Sequence, residues 1–128
     1  MSYYFAKTLH CSFDEAVQRA TDALKNAGFG ILTEINVSET LKKKLGAEFR
    51  NYRILGACNP AMAHQALEIE DKIGTMLPCN VIVQDLGGGN TEVAAIDPVA
   101  SMAAVPNPTL HQVAGKVRDM LQKAIEAL

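Results

Sequence analysis

The stretch "CNVIVQDLGGGNTEVAAID", residues 79–97, decides the fold class. It contains two runs rich in apolar and β-branched residues, 79–85 and 91–97, and the segment "LGGGN" at 86–90 separates them. Two such runs joined by a short glycine-rich segment are typical of a β-hairpin. The sequence therefore predicts that at least this part of the sheet is antiparallel.

The three glycines at 87–89 also resemble the start of a phosphate-binding loop, but their context argues against that interpretation. A phosphate-binding loop lies between a strand and a helix and carries Gly-Lys-Ser/Thr. Here a strand is predicted on each side, and no lysine follows Gly89. We interpret the glycines as a turn.

Three further strands are predicted by alternating or β-favouring residues, over 3–8, 29–35 and 52–58. Local start and stop signals predict the helices. Ser12 and Glu15 form a capping box, and Asn59 followed by Pro60 joins a cap to a proline at the first helical position. The predicted helices run from Ser12 to a stop at Gly28, from Ser38 to a stop at Gly46, from Asn59 to about Lys72, and from Pro108 to the C-terminus.

The resulting order of elements is β-α-β-α-β-α-β-β-α. It predicts an α+β fold in a single domain spanning residues 1–128, with a mixed sheet that includes the antiparallel hairpin and with helices packed mainly on one face. A chain of 128 residues is long enough to bury a substantial core.

Composition excludes several classes of partner. The net charge is −2, there is no Trp, and Phe and Tyr together number seven, so neither a phosphate-binding surface nor an aromatic stacking platform for nucleic acid is expected. The basic run at 42–44 is short and is interpreted as a solvated helix face. We see no signal peptide and no run long enough to span a membrane, and three cysteines do not make a disulfide framework. A cytoplasmic protein with reduced thiols is expected.

Two Cys-Asn pairs raise the main functional question, which is whether their cysteines form one site. Cys58-Asn59 lies in "LGACNP" and Cys79-Asn80 in "LPCNV". If the strands that carry them are antiparallel neighbours, the two sulfurs come within reach of a shared metal ion or a disulfide. If the strands are parallel, the sulfurs lie roughly 20 Å apart at opposite ends of the sheet. The length of the connection, which contains one helix, favours the parallel crossover, and free cysteines are often simply buried.

Other residues with chemical potential have simpler interpretations. Glu34, in an apolar strand, is expected to face solvent more readily than a pocket. The histidines His10, His64 and His111 show no metal-binding or catalytic spacing, and surface or packing roles are favoured. Cys11, beside the Ser12 cap, is interpreted as an unreactive thiol at a strand end.

Four motifs, "GFGILTEINV" (28–37), "LGACNP" (55–60), "LPCNVIV" (77–83) and "IDPVASM" (96–102), together resemble the domain of unknown function 302 family in order and spacing. The resemblance covers essentially the whole chain. It implies a small cytoplasmic bacterial or archaeal domain that forms a homodimer, and it supplies no activity, cofactor or catalytic residue. The motif positions fall on Thr33, Glu34, Gly56, Cys58, Asn59, Pro60, Pro78, Cys79, Asn80, Asp97 and Pro98.

Three functions remain open at this point. The first is a non-catalytic homodimer that binds a small ligand or a soft metal ion near Cys58 and Cys79, with His64 or Met102 completing a metal shell. The second is a thiol-dependent enzyme or redox protein that uses Cys58 as a thiolate at a helix start. The third is a structural or interaction protein that dimerises through its last helix. The candidate ligand-binding residues are Glu34, Cys58, Asn59, Cys79, Asn80 and Asp97.

Overall fold

The structure of the protein, a computed structural model, describes residues 2–128. Its strands are β1 (Tyr4–Leu9), β2 (Gly30–Asn36), β3 (Tyr52–Cys58), β4 (Cys79–Gly87) and β5 (Asn90–Ile96). Its helices are α1 (Phe13–Asn26), α2 (Val37–Leu45), α3 (Pro60–Ile69), α4 (Pro98–Ser101) and α5 (Pro108–Glu126), and a 3-10 turn spans Ile73–Met76. The predicted α+β fold, its five strands and the hairpin are confirmed.

The sheet has the order β1-β5-β4-β3-β2, and each neighbouring pair of strands is antiparallel. The prediction of a mixed sheet was therefore wrong, and so was the favoured parallel crossover between β3 and β4. The segment that holds α3 leaves the sheet at the end of β3 and returns at the same end, so that Ala57 pairs with Cys79. A connection of this length is compatible with either route, and in the observed one α3 packs against α5.

Helices α1 and α5 pack on one face of the sheet, as predicted, and bury the main apolar core. We call this the sheet core; its fully buried members include Leu24, Leu55, Val81, Val93 and Leu121. They come from positions at helical spacing on α1 and α5 and from alternate positions on the strands. The apolar stripe of α5 is thus used inside its own chain.

A second apolar cluster lies beyond the end of the sheet. It joins α3, the 3-10 turn, the short helix α4 and the first half of α5, and we call it the end cluster. Its buried members are Ala66, Ile73, Met102, Leu110, Val113 and Ala114.

Some helix ends lie where the local sequence signals predict them, and others differ from the prediction. Ser12 accepts a hydrogen bond from the Glu15 backbone N–H (3.2 Å), as the capping box predicts. The second helix begins one residue earlier than predicted, because Asn36 is its N-cap. The predicted continuation of α3 to Lys72 was wrong, because the Asn107 side chain donates a hydrogen bond to the Ile69 carbonyl, where the helix ends.

The other face of the sheet stays accessible, at least over β1, β4 and β5. Outward-facing residues on these strands are exposed or half-buried, whereas their inward neighbours are largely buried. Within residues 2–128, no helix has both the length and the apolar character needed to cross a membrane.

Candidate functional site

An apolar cavity of about 320 Å³ lies between the sheet core and the end cluster. The sheet core contributes Phe29, Ala57, Cys79 and Val117 to its wall, and the end cluster contributes Ala66, Met102, Leu110, Val113 and Ala114. The volume lies near the lower limit of the roughly 300–1,000 Å³ common for ligand pockets. An apolar cavity of about 150 Å³ holds benzene, so this one has room for a molecule of about twice that size.

Two large apolar side chains mark where the cavity meets solvent. Leu32, on β2, is 66% exposed and Leu67, on α3, is 43% exposed, and both line the cavity. Apolar side chains at an opening offer a path by which an apolar molecule can leave water.

The structure brings three of the six predicted ligand-binding residues to this cavity: Cys58, Asn59 and Cys79. Because Ala57 is the direct partner of Cys79, Cys58 lies one residue along β3 from that pair. Both cysteines are free, Cys79 is buried and Cys58 is half-buried. The antiparallel register therefore brings the two cysteines to one cavity.

Burial raises the pKa of the Cys79 thiol from 9.0 to about 11, and the nearby Cys58 thiol adds to the shift. Desolvation disfavours a thiolate in apolar surroundings, and a second negative charge disfavours it further. Cys79 therefore carries its proton at neutral pH and presents a neutral S–H group to the cavity.

Both ends of the Asn59 amide make a hydrogen bond within the protein. Its Oδ1 accepts from the Met62 N–H (3.1 Å) at the start of α3, and its Nδ2 donates to the Gly28 carbonyl (3.1 Å). Gly28 has φ +95°, and a Cβ there would lie 3.3 Å from Asn59 Nδ2. The predicted structural role of Asn59 as a cap is confirmed, and the side chain also ties α3 to the turn after α1.

Gly56 allows the chain around Cys79 to pack closely against β2. A Cβ at this position would lie 2.1 Å from Thr33 Oγ1 and 2.7 Å from Pro78 Cγ. Only glycine fits without movement of these groups. The motif residues Thr33, Gly56 and Pro78 thus position Cys79 through steric fit.

The remaining three predicted ligand-binding residues lie elsewhere. The Glu34 carboxylate accepts a hydrogen bond from Arg53 (2.9 Å). Asn80 is exposed on the accessible face of the sheet, in a groove that Tyr4 and Tyr52 also line. Asp97 caps α4 by accepting from the Val99 N–H (2.9 Å).

The possible metal ligands are not assembled into one shell. His64 is exposed on α3 and contacts Glu68 (3.1 Å), whereas Met102 lines the cavity with the two cysteines. Over residues 2–128, no three side chains of the His, Cys, Asp or Glu types come together in a way that would hold a metal ion.

Sequence reasoning missed most of the cavity wall. The sequence pattern predicts a helix over Met62, Ala63, Ala66 and Leu67 and an apolar stripe that includes Leu110 and Val113. It does not indicate that these residues line a cavity. The small side chains of α3, such as Ala63 and Ala66, are the one available signal, because small side chains leave space between packed elements. A single sequence does not distinguish that space from tight packing.

The fold and the cavity define a class: a small α+β domain with a thiol-lined apolar cavity at one end of its sheet. The family model for "Domain of unknown function DUF302" matches residues 5–128, and the protein belongs to this family. The chain is similar to an uncharacterized conserved protein DUF302 from Bacillus stearothermophilus, known from a crystal structure. The TM-score is 0.90 and the identity 26%, over 98% of each chain. No curated protein matches the chain significantly.

Proposed function

We propose that the protein is a non-catalytic binding protein whose ligand is a neutral, apolar small molecule held in the cavity between the sheet core and the end cluster. The cavity itself is the observation that supports this most directly. Its wall is apolar apart from two thiols and the Asn59 amide, and that amide is engaged within the protein. A charged ligand would lose its hydration there without gaining an oppositely charged partner, since no charged side chain among residues 2–128 lines the cavity.

The geometry favours a small molecule over a soft metal ion. A space of 320 Å³ is far larger than one ion, and the Cys79 proton would have to be displaced before that thiol could bind a metal. The geometry also favours binding over catalysis. A catalytic Cys58 would need a base, and the two candidates, His64 and Glu34, are engaged outside the cavity, with Glu68 and Arg53 respectively.

The test uses N-phenyl-1-naphthylamine, a neutral apolar dye that fluoresces when it leaves water. We expect saturable fluorescence enhancement by the intact protein, and a higher melting temperature with the dye bound. Ala66→Leu, which fills the cavity, should abolish both effects. The matched control is Ala103→Leu, at an exposed position outside the cavity wall, which should leave both unchanged. Dye binding that Ala66→Leu leaves unaltered would contradict the proposal.

We also propose that the protein acts as a homodimer that pairs the accessible faces of two sheets. The prediction that the chain dimerises through its last helix is not supported, because the apolar stripe of that helix is buried within the chain. The accessible face carries Tyr4, Ile35, Tyr52, Ile54 and Ile82. Five strands about 4.8 Å apart and roughly 20 Å long offer roughly 500 Å² per protomer, which reaches the roughly 1,000 Å² total of a specific interface.

Sedimentation equilibrium tests this proposal. We expect a dimer for the unaltered chain and a monomer for Ile82→Glu, because that change places a charge at the centre of the face. Leu86→Glu is the control, since Leu86 is 50% exposed near the hairpin turn. A monomeric unaltered chain, or a dimer that survives Ile82→Glu, would contradict the sheet-to-sheet arrangement. Such a dimer with reduced thiols is consistent with the expected cytoplasmic location.

A further inference from the structure

Sulfur atoms are concentrated at the cavity. The chain has three Cys and five Met residues, and four of these eight line this one space: Cys58, Met62, Cys79 and Met102. Since the Asn59 amide is engaged, the two thiols are the reactive groups that an apolar occupant would meet. The proposed function leaves them without a role.

The two thiols differ in what they can do. Cys79 is 8% exposed and keeps its proton at neutral pH, and burial and the Cys58 charge account for its shifted pKa without any hydrogen bond. Cys58 is half-buried at the end of β3 and is the more accessible of the two. Because the thiolate is the nucleophile, Cys58 is the sulfur expected to react.

We propose that the cavity takes apolar α,β-unsaturated carbonyl compounds and that Cys58 bonds them covalently through its Sγ. This inference rests on the proposed function, since the same cavity must first admit an apolar molecule. Binding beside Cys58 would turn a bimolecular reaction into one within a complex, which accelerates it.

The step is a conjugate addition, and its atoms balance without an oxidant or a leaving group. The Cys58 thiol loses its proton to water, and the sulfur lone pair forms a C–S bond to the β-carbon of the ligand. The π electrons of the C=C bond move toward the carbonyl, and the α-carbon then takes a proton from water. The net result is addition of S–H across C=C. No polar fragment has to leave an apolar space, and this favours addition over substitution.

The experiment measures alkylation of the full-length chain by N-phenylmaleimide, with peptide mass spectrometry to assign each modified cysteine. Cys11 serves as an internal control, since it is half-buried and lies outside the cavity wall, with its Sγ 4.0 Å from Arg19. We expect the Cys58 rate to saturate with reagent concentration and to exceed that of Cys11 by at least about tenfold. Charged iodoacetate should show no such preference.

Two further measurements separate this inference from the proposed function. N-phenylsuccinimide, the saturated analogue, should compete with the maleimide at Cys58 and leave Cys11 labelling unchanged. Ala66→Leu should lower the Cys58 rate to that of Cys11 while the circular dichroism spectrum stays native. A Cys58 rate that is linear in reagent and no faster than Cys11 overturns the inference. If the succinimide still raises the melting temperature, apolar binding stands; if it does not, both proposals fail.

Discussion

The sheet core and the end cluster are built from the same kinds of side chain, yet they meet across a space of about 320 Å³ instead of a packed seam. Within the sheet core, strand residues such as Val81 and Val93 pack against α1 and α5 with almost no exposure. Where the two clusters meet, small side chains of α3 and α5 line the cavity, among them Ala66 and Ala114.

The difference suggests a division of roles. Protein interiors are normally packed as densely as organic crystals, and an unfilled apolar volume lowers stability. We infer that packing in the sheet core compensates for the stability lost at the unfilled cavity. A ligand restores the missing contacts when it binds there.

The largest effect is expected in the sheet core. Leu121→Ala should lower the free energy of unfolding by about 3–5 kcal/mol, because Leu121 is fully buried among close neighbours. Leu110→Ala, at an equally buried position that lines the cavity, should cost less, about 2–3 kcal/mol, because part of its surface already faces empty space. Urea denaturation of both variants measures the difference. An equal loss of stability at the two sites would contradict the contrast between the packed sheet core and the cavity.

The next effect is a dependence of the free energy of unfolding on pH, caused by the Cys79 thiol at the cavity. Between pH 9 and 11 the unfolded chain has lost the Cys79 proton while the folded protein retains it, so stability falls as pH rises through this window. Below pH 9 the contribution is fully present. Its size is at most about 3 kcal/mol, since each unit of pKa shift corresponds to about 1.36 kcal/mol.

Denaturation of the unaltered chain and of Cys79→Ala on both sides of this window isolates the effect. We expect the alkaline loss of stability to be smaller in the variant. Cys11→Ala is the control for removal of a thiol as such. If both variants lose stability as steeply as the unaltered chain, Cys79 is not the group responsible.

A smaller effect is expected where β3 positions Cys79. Gly56→Ala should destabilise the protein by about 1–3 kcal/mol, because the new methyl group overlaps the Pro78 ring, which has little freedom to move. Gly30→Ala is matched to it, since a Cβ at Gly30 meets nothing within 4 Å. Melting temperatures of the two variants give the comparison. Equal values would show that the close approach of β2, β3 and Pro78 does not constrain the site.

Much of the fold was predictable because its signals are local. The Ser12 cap, the Asn59-Pro60 helix start and the glycine turn at 87–89 each depend on a few adjacent residues, and all are confirmed. The family resemblance was recognisable for the same reason, since its motifs are short and occur in fixed order.

What the sequence did not predict depends on residues distant in the chain. β4 runs antiparallel to β3, although the length of their connection would also allow a parallel crossover. The Ile69 carbonyl at the end of α3 accepts a hydrogen bond from Asn107, 38 residues later in the chain. The cavity is less predictable still. It is a space between the sheet core and the end cluster, and the apolar pattern of a helix is the same whether its neighbour fills that space or not.

A matched pair of insertions compares the packing of the sheet core with that of the cavity. Ala20 is 2% exposed in the sheet core and Ala66 is 5% exposed at the cavity, and each is changed to Leu. We expect Ala20→Leu to lower the free energy of unfolding by at least about 2 kcal/mol, and Ala66→Leu to change it by less than about 1 kcal/mol in either direction. Equal destabilisation by the two insertions, measured by urea denaturation, would contradict the claim that an open, preformed cavity separates the two clusters.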